Sequence, residues 1–127
     1  MSQKKINVAI AGSTGFVGLD LVFLLSKHPN VNIKYLCAQK ALGKKIKLFD
    51  KRITKKLPFI SSLKKIDYKL IDVLFLSLPN GEAQKIIKKN IRFSHMKFID
   101  LSADFRLSDP KLYKYWYNKT HAAKKLI

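Results

Sequence analysis

VAIAGSTGFVGLDLVFLL, residues 8–25, sets three glycines and two small hydroxyl residues between two apolar runs. Val8 to Ala11 is short, apolar and partly β-branched, the composition of a buried strand. Phe16, Val17, Leu21, Val22, Leu24 and Leu25 then recur at helical spacing, with Asp20 and Lys27 among the polar positions. A strand therefore passes directly into a helix, and glycines punctuate the passage. Gly12 permits a tight bend off the strand, Gly15 lets a ligand approach the backbone, and Gly18 lets the helix pack against the sheet without a Cβ in the way. The unpaired N–H groups at the helix start, with the helix dipole behind them, favour an anion over the turn. Such a turn suits a phosphate.

Composition narrows the field. The chain has 127 residues, enough for one domain with a real core and short for a two-domain enzyme. With 47% hydrophobic residues it is not a disordered chain. No apolar run approaches the roughly 18 residues of a membrane span. MSQKKINVAIAG enters a strand at once, without a signal peptide's apolar region and cleavage site, so a cytoplasmic location and no membrane partner are expected. Cys37 is the single cysteine, which leaves no internal disulfide framework and no cysteine-based metal cluster. The formal charge of +18 invites a nucleic-acid reading. Lysine supplies all of the basic residues except Arg52, Arg92 and Arg106, however, and is dispersed from Lys4 to Lys125 without interleaved aromatic stacking positions. The charge points to anionic ligands in general and keeps nucleic acid as a lesser alternative.

Beyond the first helix, KHPN stops it at residues 27–30, and VNIKYLCA supplies a second strand from about Asn32 to Cys37. Together these form a βαβ unit with a right-handed crossover. The basic run at residues 39–56 is expected as a surface loop, LPFI (57–60) as a short strand and SSLKKI (61–66) as a helical turn. DVLFLSLPNG, residues 72–81, is a strand covered on both faces and ended by Pro79, Asn80 and Gly81. EAQKIIKKNI (82–91) is the next helix and MKFIDLS (96–102) another buried strand, after which Ser108 or Asp109 caps a helix beginning at Pro110. The alternation predicts an α/β fold, a Rossmann-type doubly wound parallel sheet with helices on both faces. No repeat or low-complexity linker interrupts residues 1–127, which are expected to form one dinucleotide-binding domain.

The end of the second strand bears on cofactor choice. An acidic residue there would hold the adenosine ribose and favour NAD, but Gln39 and Lys40 occupy the place, with Lys44 and Lys45 soon after. Ammonium groups pair with a 2′-phosphate that a carboxylate would repel, so NADP(H) is favoured over NAD; solvated lysines on a loop are the simpler alternative for any one of them.

Three segments together, AGSTGFVGLDLVFLLSKHPNV (11–31), DVLFLSLPNGEA (72–83) and FIDLSADFRLSDPKLYKYWY (98–117), resemble the N-terminal part of the N-acetyl-γ-glutamyl-phosphate reductases. LSADFRL, residues 101–107, is the most diagnostic piece. The resemblance covers nearly the whole chain and is weakest between Gln39 and Asp72. The aspartate-semialdehyde dehydrogenases, which share the glycine turn, rank second. The resemblance implies an arginine-biosynthetic oxidoreductase in which a cysteine thiolate attacks an acyl carbon, phosphate is exchanged there, and hydride passes to or from a nicotinamide. The family's nucleophile lies in an N-P-G-C motif, with a histidine base further on; neither motif is present, so cofactor binding without turnover is expected of this chain.

Carried over residue by residue, the resemblance puts Gly12, Ser13, Thr14, Gly15, Phe16 and Val17 around the pyrophosphate. Gln39 and Lys40 fall at the 2′-phosphate, where the family more often has Ser-Arg, and Leu78, Pro79, Asn80 and Gly81 at the carboxyl edge of the sheet, where the family usually has His at position 80. Ser102, Asp104 and Arg106 are candidates for the substrate side: Arg106 clamps a carboxylate or phosphate, or else pairs with Asp104 to fix the loop. His121 matches a family histidine without a known chemical role, and Cys37 is expected to be a small packing residue. A small-molecule substrate and a homo-oligomer are implied for a full-length enzyme, and HAAKKLI at residues 121–127 is expected to be the end of a truncated product. A stand-alone basic nucleotide- or nucleic-acid-binding module is the alternative of a different class.

Overall fold

β1 (Ile6–Ala11) takes the centre of the sheet because both of its faces are apolar. The computed structural model describes residues 5–79, 81–90 and 95–101. Around β1, the strands β2 (Val31–Cys37), β3 (Ile60–Ser61), β4 (Val73–Leu76) and β5 (Lys97–Asp100) complete a five-stranded sheet of order β3-β2-β1-β4-β5. Every pairing is parallel. The chain builds outward from β1 on one side and then returns to build on the other, so the order reverses between β1 and β4.

Among the described residues, each face of the sheet carries one α-helix. Val8 and Ile10 pack with Val22 of α1 (Phe16–Ser26), whereas Ala9 and Ala11, with Leu74 and Leu76, pack with Ala83 and Ile87 of α2 (Glu82–Asn90). The fold is therefore the doubly wound α/β sheet that the alternation of elements predicted. In α2 the apolar positions fall on one stripe, Glu82 sits at the positive end of the helix dipole, and Lys88 and Lys89 sit at the negative end.

β2 carries an irregularity that the sequence hides. Val8 pairs with Ile33 but Ala9 pairs with Tyr35, so Lys34 is an extra residue without a partner in β1. A strand that slips by one residue exchanges its faces. Accordingly Val31 and Ile33 join the α1-side core, and past the bulge Leu36 does so too, while Tyr35 and Cys37 meet the α2-side core. Lys34 remains in solvent.

Two expectations change. In α1 the buried stripe is Gly18, Val22 and Ser26, while Phe16, Val17 and Leu24 lie outside it at 94%, 54% and 63% exposure. The reason is close packing: small residues let the helix approach the sheet, Leu19, Leu21, Phe23 and Leu25 pack along its flanks, and Phe16, Val17 and Leu24 are turned outward. The basic run at residues 39–56 is also more than a surface loop, because Ile46 and Ile53 are buried in the α1-side core. Burying each stabilises the fold by about 1.5–3 kcal/mol. Arg52 fastens the same loop to α1, donating to Asp20 and Asp50 at 2.7 Å each and lying 4.5 Å from the centroid of the Phe23 ring. Its guanidinium holds the Asp50 carboxyl below the usual carboxylate range. The short strand and the helical turn expected near residues 57–66 appear as β3 and a 3₁₀ turn at Leu63–Lys65. The expected helix from Pro110 lies outside the described residues.

The amino ends of the strands are tied by one residue. Asp72 accepts the Asn7 N–H on Oδ2 at 2.8 Å, donates its own N–H to the Asn7 carbonyl at 2.8 Å, and accepts the Lys97 N–H on its carbonyl at 2.9 Å. β1, β4 and β5 thus enter the sheet in fixed register. Replacing Asp72 with Ala leaves a part-buried N–H without its acceptor and is expected to lower stability by about 1–3 kcal/mol in urea denaturation.

Candidate functional site

At the opposite, carboxyl end of the sheet, the turn after β1 is formed by contacts that admit no side chain. Gly12 has φ +81°, and a Cβ there would fall 1.8 Å from the Ser77 carbonyl oxygen at the end of β4. A Cβ on Gly18 would fall 2.0 Å from the Gly12 carbonyl oxygen. The N–H groups of Gly12 and Ser13 both donate to the Cys37 carbonyl, at 2.9 and 3.0 Å, which fastens the turn to the end of β2. Gly15 differs from the other two. It has extended backbone angles, and the nearest atom to a Cβ there is the Gly12 oxygen at 3.7 Å. The fold does not require glycine at this position. The space beside it is left for something else.

That space is a cavity of about 510 Å³ at the point where the strand order reverses. Gly12, Thr14 and Gly15 line it from the turn, Gln39, Lys40 and Leu42 from the segment after β2, and Ser77, Leu78 and Pro79 from the end of β4. Gly15 caps α1 without a side-chain hydrogen bond, and the first turn of α1 holds no acidic residue. The N–H groups at the start of the helix are therefore free for an anion. Between Lys40 and Leu42, Ala41 adopts φ 63°, a left-handed conformation that costs about 1 kcal/mol in a residue with a Cβ.

The sequence-predicted residues separate in this setting. Gly12, Thr14, Gly15, Gln39, Lys40, Leu78 and Pro79 come together around the cavity. Ser13 does not offer its side chain, because the hydroxyl is buried and donates to the Ile10 carbonyl at 2.8 Å. Phe16 and Val17 are on the surface of α1 and line no part of the cavity, so only their backbone at the helix start is near the turn. Gly81 turns the chain into α2 with φ 92°. Lys44 and Lys45, counted with Lys40 at the sequence level, are not among the lining residues. Asn80, Ser102, Asp104, Arg106 and His121 lie outside the described residues.

Several lining residues escaped the sequence reading, among them Ala38, Leu42 and Ser77 beside the expected segments. Ser62, Leu63 and Lys64 line the cavity from the segment after β3, and Glu82 lines it from the start of α2. The signal was available in principle, since the carboxyl ends of all strands in a parallel sheet open on one edge. It was weak because β3 is two residues long. Cys37 borders the cavity but is buried, with its thiol 3.9 Å from the Ser61 Oγ and 3.7 Å from the Ser62 carbonyl. Burial pushes the thiol up to about 11, against a smaller downward pull from Ser61. It is a packing residue and not a nucleophile at neutral pH.

A second, larger cavity of about 750 Å³ lies between Lys45–Lys47 and Thr54–Phe59. Lysines and apolar residues line it in equal measure, but neither the glycine turn nor any strand end at the switch point contributes to it. Topology favours the smaller cavity, since open α/β sheets bind their ligands where the strand order reverses.

A parallel sheet of this order, with a glycine turn and a free helix start at its switch point, is the architecture of a Rossmann-type dinucleotide-binding domain. The chain belongs to the family of semialdehyde dehydrogenase NAD-binding domains, whose pattern matches residues 7–123. Among curated relatives, it is 45% identical over 117 residues to the N-acetyl-gamma-glutamyl-phosphate reductase of Ehrlichia canis, covering 89% of this chain and 33% of that protein. The reductase of the same name from Rhodospirillum rubrum is 38% identical over 128 residues, covering 98% of this chain and 36% of that one. The chain thus spans about a third of the length of these relatives. Among solved structures, aspartate semialdehyde dehydrogenase with NADP from Candida albicans matches with a TM-score of 0.63 at 24% identity, over 84% of this chain and 32% of that one. That likeness is one of fold.

Two measurements check this geometry. Gly18→Ala is expected to cost about 3 kcal/mol or more, because backbone and not a yielding side chain meets the new methyl group, whereas Gly15→Ala costs about 1 kcal/mol or less. Denaturation curves of the two variants separate the cases. The folded chain also holds the Cys37 proton more tightly than the unfolded chain, so its contribution to stability is fully present below pH 9.0 and is lost as pH rises through about 11. Alkylation of native protein at pH 8 is expected to be much slower than in denaturant, as mass spectrometry would record.

Proposed function

We propose that this chain is the NADP-binding portion of an N-acetyl-γ-glutamyl-phosphate reductase, an enzyme that reduces an acyl phosphate to a semialdehyde and releases phosphate. The observation that carries the proposal is the open position at Gly15, beside the cavity and the uncapped start of α1. A glycine that the fold does not need, placed against free N–H donors, suits the close approach of a pyrophosphate. Support for this enzyme over others of the class comes from the reductases of that name matched above. When bound, the dinucleotide supplies the hydride.

In this reading the residues of the chain bind and orient. Backbone N–H groups at the start of α1 hold the pyrophosphate, the segment Gln39–Leu42 holds the adenosine end, and Leu78 and Pro79 border the path toward the nicotinamide end. The nucleophile is not Cys37, which is buried at the adenosine end and protonated at neutral pH. The catalytic thiol belongs to a part of the enzyme beyond these residues.

A basic nucleotide- or nucleic-acid-binding module is the second reading, favoured by the lysines of the larger cavity and the charge of +18. Calorimetric titration with NADPH, NADH and ATP at physiological salt separates the two. The proposal expects NADPH to bind well ahead of the others, with no reduction of NADP when N-acetylglutamate semialdehyde and phosphate are added. Equal, weak and salt-sensitive binding of all three would move the second reading ahead.

A further inference from the structure

Resting on the cofactor reading above, we propose that Lys64, from the end of β3, joins Lys40 in a two-lysine clamp on the 2′-phosphate and sets the preference for NADP over NAD. The run after β2 contains several lysines, but they diverge. Lys44 lies beside β3, where its carbonyl accepts the Ile60 N–H at 2.9 Å, and Lys45 borders the larger cavity. Only Lys40 of that run lines the cavity at the glycine turn.

Its counterpart comes from across the sheet. The Ala38 N–H donates to the Ser61 carbonyl at 3.1 Å, which holds the ends of β2 and β3 side by side. Neighbouring strands are ~4.8 Å apart, so the two chains leave the sheet within a lysine's reach of one another. From Ser61 the chain continues through Ser62, Leu63 and Lys64, all lining the same cavity as Lys40. Lys64 stands on a firm base: the Lys65 N–H donates to the Ser62 carbonyl at 3.1 Å, and Ile66, just beyond, is buried.

The charges in this cavity are arranged for an anion. The carboxylate that lines this cavity, Glu82, lies 3.9 Å from the Lys85 ammonium, and the ion pairs of Asp20, Asp50 and Glu82 involve neither Lys40 nor Lys64. Two ammonium groups beside one cavity repel each other, and a phosphate dianion between them removes the repulsion. Each lysine is a point charge without the planar fork of arginine, so two of them are needed to do what one arginine does bidentately. NAD presents a neutral hydroxyl at that position, and for it Lys64 offers little.

The test is titration of the unaltered protein, Lys64→Gln, Lys64→Arg and Lys40→Gln with NADPH and NADH. Loss of one charge-assisted contact is expected to weaken NADPH binding about tenfold in Lys64→Gln, with NADH affected about twofold or less. Lys64→Arg keeps the preference, and Lys40→Gln lowers it. Lys64 is exposed, and a thermal melt verifies that each variant is folded. If the unaltered protein prefers NADPH and Lys64→Gln keeps the same NADPH-to-NADH ratio, this inference is overturned while the cofactor reading stands. If the unaltered protein binds neither dinucleotide, the cofactor reading is overturned and the clamp with it.

Discussion

A carbonyl oxygen, that of Ser77, occupies the place where any side chain at residue 12 would begin. The rest of the domain is arranged around that contact. It brings the end of β4 against the end of β1, and the carbonyl of Gly12 in turn abuts Gly18, which brings α1 down onto the turn. Cys37 completes the junction by accepting two N–H groups from the turn through its carbonyl. Three strand ends and a helix start thereby converge with little room for side chains, and the cavity opens beside Gly15, the glycine of the turn that the packing leaves free.

How much of this was visible in the sequence depended on periodicity. β1, β4 and α2 were legible because each keeps one pattern throughout: a continuous apolar run where both faces are covered, or a helical stripe where one is. The glycine turn was legible because three glycines at fixed spacing have few other uses. α1 misled, since its apolar residues outnumber those it buries, and the small residues Gly18 and Ser26 that do face the sheet carry little hydrophobic signal. β2 concealed its bulge because Lys34 fits an alternating pattern as well as it fits an insertion. Ile46 and Ile53 were lost among the lysines around them.

The candidate site was legible from the turn and not from the far wall. Residues adjacent in sequence to the glycines could be placed by counting from them, but Ser62 and Lys64 reach the same cavity only because β3 pairs with β2. A two-residue strand gives no periodicity to detect. Polarity misled at Ser13, where a hydroxyl in a phosphate-type turn serves the backbone of β1 instead. Charge misled in the other direction at Lys44 and Lys45, which share composition with Lys40 but not its place in the fold.

The central position of β1 also governs the order in which the domain can assemble. β1 precedes β4 in the chain, and the Asp72 carboxylate that accepts the Asn7 N–H lies 65 residues later. Until β4 has been synthesised, one edge of this buried central strand has no neighbour. Pairing across such a separation is slow because a long loop must close before any contact rewards it. The nascent chain therefore passes through a stage in which β1 can pair with the wrong strand or with another copy of itself. Chaperone dependence during synthesis would then reflect strand order as well as final stability.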